Sequence, residues 1–320
     1  MDDLVVQALS QLMPGDVRRG ELPRHGRTLR WVEAGSGSPT VVFDAALGEP
    51  GSLAWAGVMP LVAARTRVLA YDRAGIGVSD PMSPLTLAAQ VDDLTEVLRQ
   101  AGNGPCVVVG HSWGGLLAQL VALDHPDLVA GLVLVDPAEE KFLASLPSGG
   151  LQHGITLGET ILEQHARGEL AATVRDIFGD FARQLTQDQQ LQALILDAYV
   201  WCYASRSQAA MVRDEHRLVA GSLASIGQRR TGRALPDVPV VVFSATTGRP
   251  APERDMWTGC HAQLAASVPG ARHIVLADTN HAVNQERPAE IAETVIHMTE
   301  DIRHRPFGLR LPRVAGQDSR

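Results

Sequence analysis

The chain has little lysine, little cysteine and few aromatic side chains. Lysine occurs once in 320 residues, at Lys141, so arginine supplies nearly all of the 28 basic groups. That bias reads as base composition, not as function. Acidic residues number 36, and the net charge of -8 argues against nucleic acid as the partner. The three cysteines, Cys106, Cys202 and Cys260, are odd in number and widely spaced, without metal-ligand spacing. Reduced structural thiols are expected. No apolar run has the length of a membrane span. The start, Met1-Asp2-Asp3, lacks the basic opening of a signal peptide, so a cytoplasmic location is expected. There is no internal repeat, glycine-rich phosphate loop or metal-ligand cluster, so neither nucleotide, metal nor other cofactor is implied. What is present suits a globular protein with a sizeable core: 45% of residues are hydrophobic and 20% charged. The length allows one large domain, or one domain carrying an insertion.

One stretch organises the rest. Cys106 to Val109 is a short apolar, β-branched run, and Leu116 to Leu123 is helix-compatible. Between them lies Gly110-His111-Ser112-Trp113-Gly114, a Gly-x-Ser-x-Gly pattern. Set between a strand and a helix, this pattern reads as a nucleophile elbow, a sharp turn with serine at its tip. Strand and helix must come close there, and only glycine at 110 and 114 leaves room. The new helix points its first N–H groups into the same space, where they stabilise an anion.

Strands are expected at Thr28–Glu33, Thr40–Ala45, Arg67–Tyr71, Leu132–Val135, Val238–Ser244 and Arg272–Ala277. Helices are expected over residues 2–13, Leu53–Ala64, Leu87–Ala101, Thr258–Ala266 and Pro288–Ile302. From Ala138 to about Leu235 the pattern changes. No confident apolar strand occurs there, and segments 156–166, 169–183, 187–203 and 205–220 have helical spacing. Alternating strands and helices imply a mostly parallel sheet with helices on both faces. The insertion would be a helical cap roofing the carboxyl ends of the strands, where ligands of such sheets bind. The expected organisation is an accessory N-terminal helix in 1–24, a core in 25–137 and 236–304, the cap in 138–235 and a frayed tail in 305–320.

This arrangement resembles the α/β-hydrolase superfamily over roughly residues 25–304, in the style of its capped serine hydrolases: proline iminopeptidases, small esterases and C–C bond hydrolases. Four stretches carry the resemblance. They are the elbow; Asp72-Arg73-Ala74-Gly75-Ile76-Gly77-Val78-Ser79, similar to the loop Asp-x-x-Gly-x-Gly-x-Ser; Asn280-His281 after the last strand; and Val41 to Gly48, the strand and loop that usually carry His-Gly. Here Ala45-Ala46 stands in place of His-Gly, and Asn280 in place of the usual glycine before the histidine.

The resemblance implies an α/β-hydrolase fold and assigns roles. Ser112 is the candidate nucleophile, which needs a base to take its proton. His281, after the nucleophile in chain order, is the candidate base. His111 is implied to point away from the nucleophile and to pack; His261 and His273 read as solvated or core histidines. The acid has two candidate places. The loop after Val238–Ser244 offers Glu253 and Asp255, both late; the end of the strand after the elbow offers Asp136, the preferred choice, against a turn-capping role before Pro137. Asp278 lies too close in sequence to His281 to be preferred. Oxyanion donors are the backbone N–H groups of Trp113 and Leu47. Asp72 and Arg73 are implied to fix their loop. Tyr199, Trp201 and Tyr203 form an aromatic cluster in the insertion that offers a substrate surface or cap-to-core packing. The cap carboxylates Glu159, Glu163, Glu169, Asp176 and Asp180 read as ordinary helix-surface charges. The expected activity is cofactor-free cleavage of an ester, lactone or related acyl bond of a small-molecule substrate. Aminopeptidase, C–C hydrolase, perhydrolase and ligand-receptor readings remain as alternatives.

Overall fold

The computed structural model describes residues 4–102, 104–147 and 150–304. The expectation for 305–320 lies outside them. In chain order the elements are α1 (Leu4–Ser10), β1 (Arg18–Arg24), β2 (Arg27–Ala34), β3 (Val41–Asp44), α2 (Gly51–Ala54), α3 (Met59–Ala63), β4 (Val68–Asp72), α4 (Leu87–Ala101), β5 (Cys106–His111), α5 (Trp113–Asp124) and β6 (Val129–Val135). There follow α6 (Glu140–Ser145), α7 (Gly150–Arg167), α8 (Leu170–Leu185), α9 (Gln189–Cys202) and α10 (Arg206–Arg230). The chain then returns through β7 (Val240–Ala245), α11 (Ala251–Ala266), β8 (Arg272–Leu276), α12 (Val283–Glu286) and α13 (Pro288–His304).

The strands form one sheet in the order β1-β2-β4-β3-β5-β6-β7-β8. The pairs β1–β2 and β2–β4 are antiparallel, and every other pair is parallel. Central strands such as β5 are buried at every residue, which explains their unbroken apolar reading. Alternate residues serve opposite faces. Phe43, Val107, Val109 and Val133 pack with Leu9 of α1, Met59 of α3, Ile195 of α9 and Val295 of α13. Val42, Val108, Leu132 and Leu134 pack with Leu94 of α4, Leu117 of α5 and Leu264 of α11. The parallel strands β4, β3, β5, β6, β7 and β8 all run the same way, and Leu47, Ser112, Asp136 and His281 follow the ends of β3, β5, β6 and β8.

Three local readings differ from expectation, each for a physical reason. The hairpin strand β1 carries the charged sequence RRGELPR, with no apolar alternation to signal it. It pairs only with β2, and an edge strand tolerates Pro23. The single helix expected at 53–64 is two short helices, because Pro60 lacks an N–H and falls in the first turn of α3, where none is needed. Helix α11 begins at Ala251, seven residues before Thr258, on the proline-rich segment Pro250-Ala251-Pro252. Between β6 and β7 the described residues hold five helices and no strand. No described helix is long and apolar enough to cross a membrane.

Candidate active site

Strand β5 runs directly into α5 through Ser112, whose backbone has φ 51 and ψ -115. A non-glycine residue holds such a conformation only where its surroundings enforce it. Here Ser112 N–H donates to Val135 O at 3.0 Å, and Ser112 O accepts from Ala138 N at 2.8 Å. The two glycines make the close approach possible. A Cβ on Gly110 would lie 2.5 Å from Gly114 O, and one on Gly114 would lie 2.6 Å from Asp44 O.

Two further loops bring partners to this serine. The loop after β8 places His281 Nε2 2.9 Å from Ser112 Oγ. The end of β6 places Asp136 Oδ2 2.6 Å from His281 Nδ1. Asp136 also has positive φ, 43, and its side chain is fully buried. Its second oxygen, Oδ1, accepts from Ala245 N at 2.9 Å and from Trp257 Nε1 at 2.6 Å. Burial opposes ionisation of this carboxyl, but the hydrogen bond and charge of His281 outweigh it and hold the pKa at about 2. The carboxylate fixes the imidazole proton on Nδ1 and leaves Nε2 free to accept from serine. Desolvation lowers the His281 pKa below its ordinary value; the bond to Asp136 works against that shift, and nearby His111 adds to it.

Ser112 opens into a cavity of about 200 Å³. Its walls are mainly apolar and include Phe142, Leu143 and Leu146 around α6, Leu151 of α7, Val219 of α10 and Trp257 of α11. Leu47 and Trp113 line it as well. Among the described residues no hydrogen bond uses the N–H of either, whereas the neighbouring Gly114 N–H donates to Ala45 O. A second, open cavity of about 440 Å³ meets the first at His281 and Arg249 and is lined by Glu49, His111 and Asn280. Among the described residues no cluster of ligands suits a metal ion.

Residues 25–294 match the alpha/beta hydrolase family. The chain belongs to that family. Lipase LipV of Mycobacterium tuberculosis is 48% identical over 71 residues, 22% of this chain and 27% of that protein. The soluble epoxide hydrolase of Corynebacterium sp. is 35% identical over 114 residues, 35% of this chain and 39% of that protein. The matches thus span well under half the length of these relatives. Epoxide hydrolase A of Mycobacterium thermoresistibile superposes with a TM-score of 0.63 at 20% identity, covering 89% of this chain and 98% of that one, a likeness of fold.

Not every residue singled out in this alpha/beta hydrolase lies at the cleft. Tyr199 stacks on Phe178 with ring centroids 3.9 Å apart and donates to Leu53 O; Tyr203 donates to Gly48 O. Both are buried between the insertion and the core, and neither they nor Trp201 line the cavity beside Ser112. The expected substrate surface is corrected to packing, since two tyrosines one helical turn apart face the core that α9 rests on. Glu253 and Asp255 sit on α11, while Ala245, Trp257 and Arg249 occupy the surroundings of Asp136. His111 does more than pack. Its Nε2 donates to His281 O at 2.7 Å, holding the loop that carries His281. His261 is fully buried and donates from Nε2 to Pro137 O at 2.8 Å, while its Nδ1 accepts from Ser244 Oγ. Burial lowers its pKa to about 4, so it is neutral and braces the backbone beside Asp136. Trp257 and Arg249 carried no signal in the sequence, because their partner lies more than 110 residues away.

Proposed function

We propose that this chain is a cofactor-independent serine hydrolase that cleaves an ester, lactone or related acyl bond through an acyl-enzyme. The observation that carries this reading is the unbroken chain of two hydrogen bonds from Ser112 Oγ through His281 to the ionised, buried Asp136. His281 Nε2 takes the serine proton as Oγ attacks the substrate carbonyl. The resulting oxyanion accepts from the N–H groups of Trp113 and Leu47 at the start of α5 and in the loop after β3. Protonated His281 gives its proton to the leaving group. Water, deprotonated by the same nitrogen, then releases the acyl group.

Ring opening of an epoxide is disfavoured on chemical grounds. Attack by a serine oxygen would leave an ether, which activated water does not hydrolyse, whereas a carboxylate nucleophile leaves an ester. The elbow tip of this chain is Ser112. The small, mainly apolar cavity of about 200 Å³ suits a small to medium acyl group. Recognition of a free amino terminus by the insertion has little support: Glu159, Glu163, Glu169 and Asp180 are exposed and engaged with arginines of the insertion. One observation favours a second reading. Glu49 Oε2 is buried at the second cavity without a hydrogen-bond partner, 3.9 Å from His111 Nδ1, and is an acceptor suited to a substrate ammonium group. A paired assay at matched concentration decides between them. Faster turnover of p-nitrophenyl butyrate than of a prolyl arylamide is expected, and the opposite preference would replace esterase with aminopeptidase.

A further inference from the structure

We propose that the helical insertion supplies the positioning residues of the oxyanion hole: Glu215 of α10, assisted by Tyr203, holds both backbone donors in place. This rests on the serine-hydrolase reading above. The loop after β3 has no His-Gly pair, so its shape must be set by its neighbours. Arg73 donates to Ala45 O and Ala46 O. Gly48 N donates to Glu215 Oε2 at 2.7 Å, and Gly48 O accepts from Tyr203 at 2.9 Å. Leu47 is thereby held on both sides while its own N–H stays free.

The same carboxylate reaches, through one intermediate, the side chain of the residue that carries the second donor. Glu215 Oε1 accepts from Gln90 Nε2 at 2.7 Å, and Gln90 Oε1 accepts from Trp113 Nε1 at 2.8 Å. Trp113 lines the cavity beside Ser112 together with Leu47. Glu215 is fully buried, and its charge is matched by Arg73, which donates from Nε to Oε1 at 2.7 Å and pairs on its other side with Asp44 at 2.6 Å. A residue that merely docked α10 on the core would not need a buried charge, nor bonds to the loop and to Gln90 at once. Such networks are specific because each member loses its partner if one moves.

The test uses Glu215→Gln and Tyr203→Phe in the full chain. It reads kcat and KM for p-nitrophenyl butyrate, inhibition by butylboronic acid, the pH profile and Tm. For Glu215→Gln, kcat is expected to fall about 10- to 100-fold with KM nearly unchanged, a part of what losing a donor costs. Boronic acid affinity should fall by the same factor, because its tetrahedral adduct needs the same two N–H groups. The acidic limb of the profile should stay in place, since neither variant touches His281. Tyr203→Phe should show the same pattern, about 3- to 10-fold, and decides the matter if Glu215→Gln does not fold. Both variants keeping kcat within twofold, or a fall in kcat without the matching fall in boronic acid affinity, would overturn the proposal. Fluorophosphonate labelling of the wild type separates the two levels. An unlabelled Ser112 takes down the underlying hydrolase reading as well, whereas a labelled Ser112 with unaffected variants removes the Glu215 role alone.

Discussion

Ser112, His281 and Asp136 are contributed by three loops yet lie within two hydrogen bonds of one another, so substitutions at each have separable effects. Ser112→Ala should abolish turnover and leave Tm within a few degrees, because the residue's strained backbone is held by Val135 and Ala138 and not by its hydroxyl. Asp136→Asn should lower kcat roughly 10³- to 10⁴-fold, since a neutral amide can hold the wrong imidazole tautomer. The pH dependence has a definite sign. On the proposed mechanism His281 acts as base only when neutral, so kcat/KM should fall as pH drops through a His281 pKa below the ordinary 6.5. Asp136→Asn removes the contact that raises this pKa, so the residual activity should lose its acidic limb at still lower pH. Glu253→Gln and Asp255→Asn should change kcat less than about twofold, as surface substitutions away from the site do; activity profiles of the four variants over pH 4 to 9, with a thermal melt of each, check these outcomes. That Ser112 and His281 come together is legible from motif and chain order. Asp136 was less so, because Asp-Pro at a strand end looks the same whether it caps a turn or orients a base. His111 reads as packing in the sequence because its partner, the carbonyl of His281, lies 170 residues on.

The elbow is the element on which the site depends. Its geometry permits no side chain at Gly114, where a Cβ would meet two backbone oxygens at 2.6 and 2.7 Å. Gly114→Ala should therefore destabilise the fold by about 3 kcal/mol and disturb the serine, because backbone atoms give way less readily than side-chain ends. Urea denaturation together with ester turnover measures both effects. The sheet's central strands were easy to read because burial on both faces leaves them continuously apolar. β1 was not, since an exposed hairpin strand needs backbone pairing but no apolar face. Within the insertion, helical spacing pointed to helices, while short α6 and the far end of α10 were missed. Neither carries a long amphipathic pattern, and α6, although short, lends Phe142 and Leu143 to the cavity. The aromatic cluster shows the limit of pattern reading: one-turn spacing places Tyr199 and Tyr203 on a common face, but only the fold shows what that face meets.

At the scale of the whole molecule, residues from the sheet's loops and from the insertion together line the cavity beside Ser112. On the proposed esterase reading, the mainly apolar cavity of about 200 Å³ limits the length of the acyl group. Across a series of p-nitrophenyl esters, kcat/KM should peak at short to medium acyl chains and fall at least tenfold by palmitate, because the extra methylenes stay in water or force the walls apart. A flat or rising series would show that α6 and α7 do not close the chamber during turnover. The most direct test of the central claim is covalent. After reaction with a fluorophosphonate, intact mass and peptide mapping should show a single adduct on Ser112, absent from Ser112→Ala and formed far more slowly in His281→Ala. An unlabelled or differently labelled protein that still hydrolyses esters would contradict it.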